Sequence, residues 1–151
     1  MNTFLKIFNF FLLIAFLSFS ACGEVEDPDN VIVAPQGMTV SLTWTNDAVN
    51  PALATDLDLY IRKDFRTLVQ SSKFSSFEEL SITPGILNDD TYSIEIGVHE
   101  ITKITNYTLT FTGKSTGKVY KRNFGPVNAN DRYSTLKPFS LTVTGTKFNI
   151  F

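Results

Sequence analysis

From Val31 onward apolar and polar residues alternate with a period of two. That is the mark of half-buried strands, because successive side chains of an extended chain point to opposite faces. Val40, Leu42 and Trp44 share one face, and Thr39, Ser41, Thr43 and Thr45 the other. Leu57, Leu59 and Ile61 alternate with Asp56, Asp58, Tyr60 and Arg62. Tyr92, Ile94, Ile96 and Val98 alternate with Thr91, Ser93, Glu95, Gly97 and His99. Two further runs read the same way, one on Tyr107, Leu109 and Phe111, the other on Phe139, Leu141 and Val143. Shorter candidates lie at Leu68 to Ser71, Leu80 to Ile82, Lys118 to Phe124 and Phe148 to Ile150. Turn chemistry separates the runs: Thr83-Pro84-Gly85, Asn88-Asp89-Asp90, the segment Thr112 to Gly117, Gly125-Pro126 and Lys137-Pro138. No window after the first 21 residues keeps a helical period for three turns. About eight short strands, each with one apolar face, must pack face to face, so residues 31–151 are expected to form an antiparallel β-sandwich.

The first 21 residues follow another pattern. Lys6 makes the start positive, and an apolar run from Ile7 to Phe19 is broken only by Asn9 and Ser18. Such a run is short for a membrane span, which needs about 20 residues, but suits an export signal. It ends in Phe19-Ser20-Ala21-Cys22-Gly23. These residues resemble the bacterial lipobox, with Phe19 where leucine is usual and small residues around the cysteine. The resemblance implies a signal peptide over 1–21, cleavage before Cys22, and a thioether diacylglycerol plus an N-acyl chain (palmitate or similar) on Cys22. Acyl chains contribute about 0.8 kcal/mol per buried CH₂, so two or three anchor a protein stably to a membrane. Residues 22–30 include Glu24, Glu26, Asp27, Pro28 and Asp29, have little to bury, and are expected to form an acidic tether. They also resemble the acidic export signal of surface lipoproteins in the Bacteroidetes. The expected location is the outer membrane, lipid-anchored and facing either the periplasm or the outside.

Composition sharpens this picture. Six of the 14 phenylalanines fall within the first twenty residues, so the leader inflates the apolar fraction. Lys6 is the one charged residue before Cys22; without it the 13 basic residues become 12 against 15 acidic, and the net charge moves from −2 to −3. Nucleic-acid binding needs clustered Lys and Arg, and none is present; Lys118, Lys121 and Arg122 read as a solvated strand edge. One cysteine excludes an intrachain disulfide and a multi-cysteine metal site.

The order Val40-Ser41-Leu42-Thr43-Trp44, then Asp56-Leu57-Asp58-Leu59-Tyr60, then Ser71, then Glu78-Glu79-Leu80, then Tyr92-Ser93-Ile94-Glu95-Ile96 resembles the bacterial prepeptidase C-terminal domain and related clostridial collagen-binding domains. The likeness covers about Thr39 to Phe111. It implies a jelly-roll-like β-sandwich that accompanies secreted enzymes without being catalytic and that in some relatives binds calcium or an extracellular polymer. No peptidase domain accompanies it in this chain.

Asp56 and Asp58 lie two apart on one strand face, about 7 Å apart at the backbone. Two readings are open. They are calcium ligands together with Asn46 and Asp47 of the preceding loop, since calcium takes six to eight oxygens. Or they accept hydrogen bonds from loop backbone or Arg62 and fix the loop from Asn46 to Thr55. His99, the one histidine, is expected at a strand end on the polar face as an exposed imidazole. No Ser-His-Asp arrangement, zinc set or phosphate loop is legible. Tyr60, Tyr120, Phe124 and Tyr133 lie off the main apolar faces and are candidates for an aromatic platform or for packing; Trp44, in register with Val40 and Leu42, belongs to the core. The expected function is a non-enzymatic binding or adhesion module engaging an extracellular polymer or envelope protein. The alternative is a structural or accessory subunit of an envelope complex with no small ligand of its own.

Overall fold

The computed structural model describes residues 27–73 and 75–151. Cys22, the leader and the start of the tether, with Glu24 and Glu26, lie outside the described residues. Two antiparallel sheets face each other. The larger one runs β1 (Val31–Val33), β10 (Lys147–Ile150), β9 (Thr135–Thr144), β6 (Asp90–Ile101), β3 (Thr55–Lys63), β4 (Arg66–Ser71). The smaller runs β5 (Phe77–Ile82), β2 (Met38–Thr45), β7 (Thr105–Gly113), β8 (Val119–Val127). The all-β sandwich expected from the alternation is thus the fold. Among the described residues ten strands form, against the eight or so expected. β1 has only three residues beside a proline, too few to show a period. β4 coincides with the short candidate at Leu68 to Ser71 but departs from the apolar pattern, since its Leu68 is exposed.

The inward residues are those the period of two selects. Val40, Leu42, Leu57, Leu59, Ile61, Ile94, Ile96, Leu109, Phe111 and Leu141 have no exposed surface. Each large apolar side chain so buried contributes roughly 1.5–3 kcal/mol. Trp44 is buried, and its indole Nε1–H donates to the Thr55 carbonyl at 3.1 Å, so the polar edge of the ring is satisfied inside. Tyr120 and Phe124 of β8 are half-buried and pack edge-on against Phe139, with Phe124 also stacked on Tyr107 at 5.1 Å. They close the core and do not form a platform.

A short helix, α1 (Pro51–Ala54), is capped by Asn50, whose Oδ1 accepts from Ala52 N at 3.2 Å, with proline at the first position. At the other end of the molecule the expected tether is bound down from Asp27. Lys147 Nζ donates to Asp27 Oδ1 at 2.6 Å, and Lys118 Nζ to the carbonyls of Asp27 and Pro28 at 2.9 and 3.0 Å. Asn30 exchanges hydrogen bonds with the backbone of Ile150. Asp27–Asn30 therefore belong to the sandwich, and Lys118 is not merely a solvated edge residue.

Candidate functional site on the outer face of the larger sheet

β3 and β6 are neighbours in the six-stranded sheet, flanked by β4 and β9. Their register places Asp58 opposite Gly97, Tyr60 opposite Glu95, and Arg62 opposite Ser93. A β-bulge follows, because Leu57 faces Val98 while Asp56 faces Glu100. The extra residue is His99. Bulges re-aim side chains, and this one turns the imidazole onto Asp58. Asp58 is almost fully buried although it sits on the outer face. Its Oδ2 accepts from the Tyr60 hydroxyl at 2.6 Å and lies 2.7 Å from His99 Nε2, which is 3.3 Å from the same hydroxyl. Gly97 makes this closure feasible. A Cβ there would come within 2.9 Å of Tyr60 Cε2, so the tyrosine ring lies flat over bare backbone. Burial, and then the hydrogen bond and charge of Asp58, push the Tyr60 phenol up to about 12, so it stays protonated as a donor at neutral pH. Burial, followed by repulsion from Asp58, also raises Asp56 above the usual carboxylate range.

The network continues along the face. The Arg62 guanidinium sits 4.4 Å over the Tyr60 ring and donates to Glu95 Oε2 at 3.0 Å. Glu95 Oε1 accepts from Ser93 Oγ at 2.7 Å and pairs with Lys137 Nζ at 3.1 Å. Burial alone would raise Glu95. The Ser93 and Lys137 hydrogen bonds and the charges of Lys137 and Arg62 outweigh it and hold the group below its ordinary range. Lys137 lies 5.9 Å over the ring of Phe65, and at the other end Arg132 lies 4.9 Å over Tyr133 and pairs with Glu100. Phe65 is 96% and Tyr133 76% exposed, both with positive φ, at 66° and 64°. A bulky residue there is an outlier that the surrounding structure must hold in place. Between Tyr60 and Tyr133 lies a cleft of about 180 Å³, lined also by Arg62, Gly97, His99 and Ser134. Ser134 Oγ is buried and has no partner among the described residues. It is therefore not hydrogen-bonded to His99, as a serine activated by a histidine base would be.

The four residues named for calcium are not brought to one point. Asn46 is consumed by its own loop: Nδ2 donates to Thr55 Oγ1 at 3.1 Å and Oδ1 accepts from Ala48 N at 3.0 Å. Asp47 is exposed and pairs with Lys103 at 3.7 Å. Asp56 and Asp58 remain neighbours, but Asp58 is engaged by Tyr60 and His99. Among the described residues no three His, Cys, Asp or Glu side chains converge as a metal site. This donor set does not match the six to eight oxygens that calcium requires. The loop-fixing reading is also altered. Asn46, Thr55 and Thr105 hold the loop, and Arg62 serves Glu95 instead of the aspartates.

Sequence reasoning reached Asp58, Tyr60 and Tyr133 but missed that His99 is an engaged member of the site, its side chain half exposed. The available signal was Gly97, a glycine inside a strand pattern, which marks a bulge or a close approach. The Ser71 and Glu78 of the motif order do meet. Glu78 is fully buried on the inner face of β5, with Ser71 Oγ donating to one carboxylate oxygen and Lys73 N to the other at 2.7 Å. Burial raises Glu78 above its ordinary range despite both hydrogen bonds. No family model matches the chain, and no curated protein or solved structure matches it either.

Proposed function

We propose that this chain is a lipid-anchored, non-catalytic binding or adhesion module of the bacterial cell envelope, held at the outer membrane through Cys22. It engages an extracellular polymer or envelope partner through the outer face of the larger sheet. One observation carries the choice of face. Two aromatic rings, Phe65 and Tyr133, stand exposed in left-handed backbone at its two ends, with a third, Tyr60, locked between them. Strain of that kind persists where presentation of the side chain matters more than local stability. Around the rings Arg62 and Lys137 share Glu95, and Arg132 pairs with Glu100, so the charged groups beside the aromatics are held in place.

The accessory-subunit reading draws on a different place. Val49, Leu53 and Ile104 are all more than half exposed in the segments around α1 and between β6 and β7. Exposed apolar groups of this kind suit a protein partner if they form a continuous patch.

Anchoring is tested with Cys22→Ala. Wild type should incorporate labelled palmitate and fractionate with the outer membrane; the variant should lose the label and remain unprocessed. Equal labelling of both would refute the lipoprotein assignment. The two readings of the domain separate by what abolishes association with cells or matrix: Tyr133→Ala for the sheet face, Leu53→Asp with Ile104→Asp for the apolar end.

A further inference from the structure

We infer that the β7–β8 hairpin is a second point of membrane contact: Lys114, Lys118, Lys121 and Arg122 engage the phosphate-bearing headgroups of the lipid surface to which Cys22 is acylated. This rests on the anchored reading above and adds a surface to it.

The distribution of charge comes first. Six of the 12 Lys and Arg residues after Lys6 pair with carboxylates. The other six pair with none among the described residues, and four of these fall between Lys114 and Arg122. The hairpin turn adds Lys114 to the three cations of the β8 edge. Nothing on the same sheet neutralises them. Its strands carry two carboxylates, both on β5: Glu78 is buried, and Glu79 lies three strands away from β8, about 14 Å at ~4.8 Å per strand.

The hairpin is ordered, so the cations are presented and not merely tethered. Gly113 N donates to Lys118 O at 2.9 Å, Lys114 N to Gly37 O at 3.0 Å, and Thr116 Oγ1 to Val33 O at 3.2 Å. Lys121 stands opposite Thr110 on the outer side of the sheet, two residues after Val119, which is 53% exposed. Arg122 stands on the inner side and emerges at the edge, its Nε donating to the Tyr120 hydroxyl at 2.8 Å. Lys114 Nζ donates to the neutral Ser81 Oγ at 2.5 Å. Full positive charge therefore remains on each.

Position selects the partner. Lys118 Nζ is bonded to the carbonyls of Asp27 and Pro28, and four residues lie between Asp27 and Cys22. Acylation thus brings headgroups to the root of this cluster, and a second contact made under such a tether is effectively intramolecular. Basic side chains beside a lipid anchor are a known physical means of strengthening attachment to anionic membranes. The carboxylates in reach are Asp27, taken by Lys147, Asp29, which lines a cleft with Lys118, and Glu24 and Glu26. The last two follow Cys22 by two and four positions, so acylation carries them to the same headgroups.

The test is headgroup quenching on the full-length acylated protein in vesicles. Ser115→Cys, at the hairpin tip, and Asn130→Cys, in the turn before β9, each receive a thiol-reactive fluorophore, and lipids with a nitroxide on the headgroup quench it at short range. Vesicles of phosphatidylcholine with phosphatidylglycerol should quench the label at 115 and spare the label at 130. Pure phosphatidylcholine, or salt of about 0.5 M in the mixed vesicles, should release it, as screening shortens the reach of surface charge. Lys121→Gln should lower the ratio of docked to undocked hairpin about fivefold, and Lys114→Gln/Lys121→Gln about 25-fold, at one surface charge each. Lys73→Gln, an equal charge change between β4 and β5, should leave it alone. The inference is overturned if neutral and anionic vesicles quench equally, if neither quenches, or if the double variant docks unchanged. Quenching that appears only in Glu24→Gln/Glu26→Gln would assign the cations to the chain's own carboxylates. A label that no vesicle quenches but poly-glutamate perturbs would assign them to an acidic protein; either result overturns the lipid. Wild type should take no thiol label, because Cys22 is its one cysteine and a thioether does not react. A wild type that takes the label and fails to float with vesicles removes the anchor and this inference together. An unlabelled, floating wild type with an unquenched label at 115 removes the inference alone.

Discussion

Phe65 and Asp64 form the two-residue turn between β3 and β4, with Lys63 paired to Arg66 across it and positive φ of 49° and 66° at the two positions. Positive φ at both central residues defines the type I′ hairpin turn, whose second position favours glycine. A side chain in left-handed backbone costs about 1–2 kcal/mol. The Phe65 ring recovers little of this, being 96% exposed with one cation at 5.9 Å; an exposed cation–π contact contributes about 0.5–1 kcal/mol. Replacing Phe65 by alanine keeps the backbone cost and loses the ring. Replacing it by glycine removes the cost but adds about 0.5–1 kcal/mol of unfolded-chain entropy. Phe65→Gly should therefore be more stable than Phe65→Ala by about 1 kcal/mol and lie at or slightly above wild type. For a domain of this size that is roughly 3–5 °C between the two variants. Differential scanning calorimetry at fixed pH reads it directly. An alanine variant as stable as the glycine variant would show that the turn imposes no left-handed cost, and the argument from strain to presentation would fail.

Three further outcomes follow from the same contacts. Asp58→Asn removes the charge that holds up Tyr60, so the tyrosine near 12 should ionise at lower pH while Tyr107, also near 12 and raised chiefly by burial, stays put; absorbance at 295 nm during alkaline titration separates them. Glu78 is raised in the folded state, so its contribution to stability is greatest when protonated and is lost as pH rises from the unfolded value through the folded one. Glu78→Gln should accordingly gain stability relative to wild type on going from pH 4 to pH 7, measured by urea unfolding; a difference independent of pH would contradict the buried-carboxylate assignment. Calcium added to the purified protein should leave its melting temperature unchanged; saturable heat lost in Asp56→Ala/Asp58→Ala would reinstate the acidic strand as a metal site.

The sandwich was legible because its inner faces are nearly pure in apolar residues and strand geometry converts that purity into a face. Trp44 and the β3 and β6 alternations translate directly into buried positions. What was not legible depends on register. A period of two says that Asp58 and His99 lie on polar faces, but not that the two faces are the same one or that a bulge brings them together. Glu78 escaped for the opposite reason. Glu78-Glu79 reads as solvent-facing charge, yet the pleat points Glu78 inward, where Ser71 and the Lys73 amide satisfy it. The exposed presentation of Phe65 and Tyr133 could not be read either, since positive φ is expected of Gly, Asn or Asp and not of aromatics.

The binding-down of Asp27 onto Lys147 has a geometric consequence for how the domain would stand at a membrane. Only four residues lie between Cys22 and Asp27, and the five steps of an extended chain cover at most about 3.6 Å each, so the leash is no longer than about 18 Å. Lys147 and Thr144 sit at one end of β9, and Thr135, beside the cleft, at the other. Ten residues of β9 span about 33 Å. An acylated Cys22 would therefore hold the lysine-clasped end of the sandwich against the lipid headgroups, with Tyr60 midway up the sheet and Tyr133, beside Val98 and Thr135, toward the end away from the bilayer.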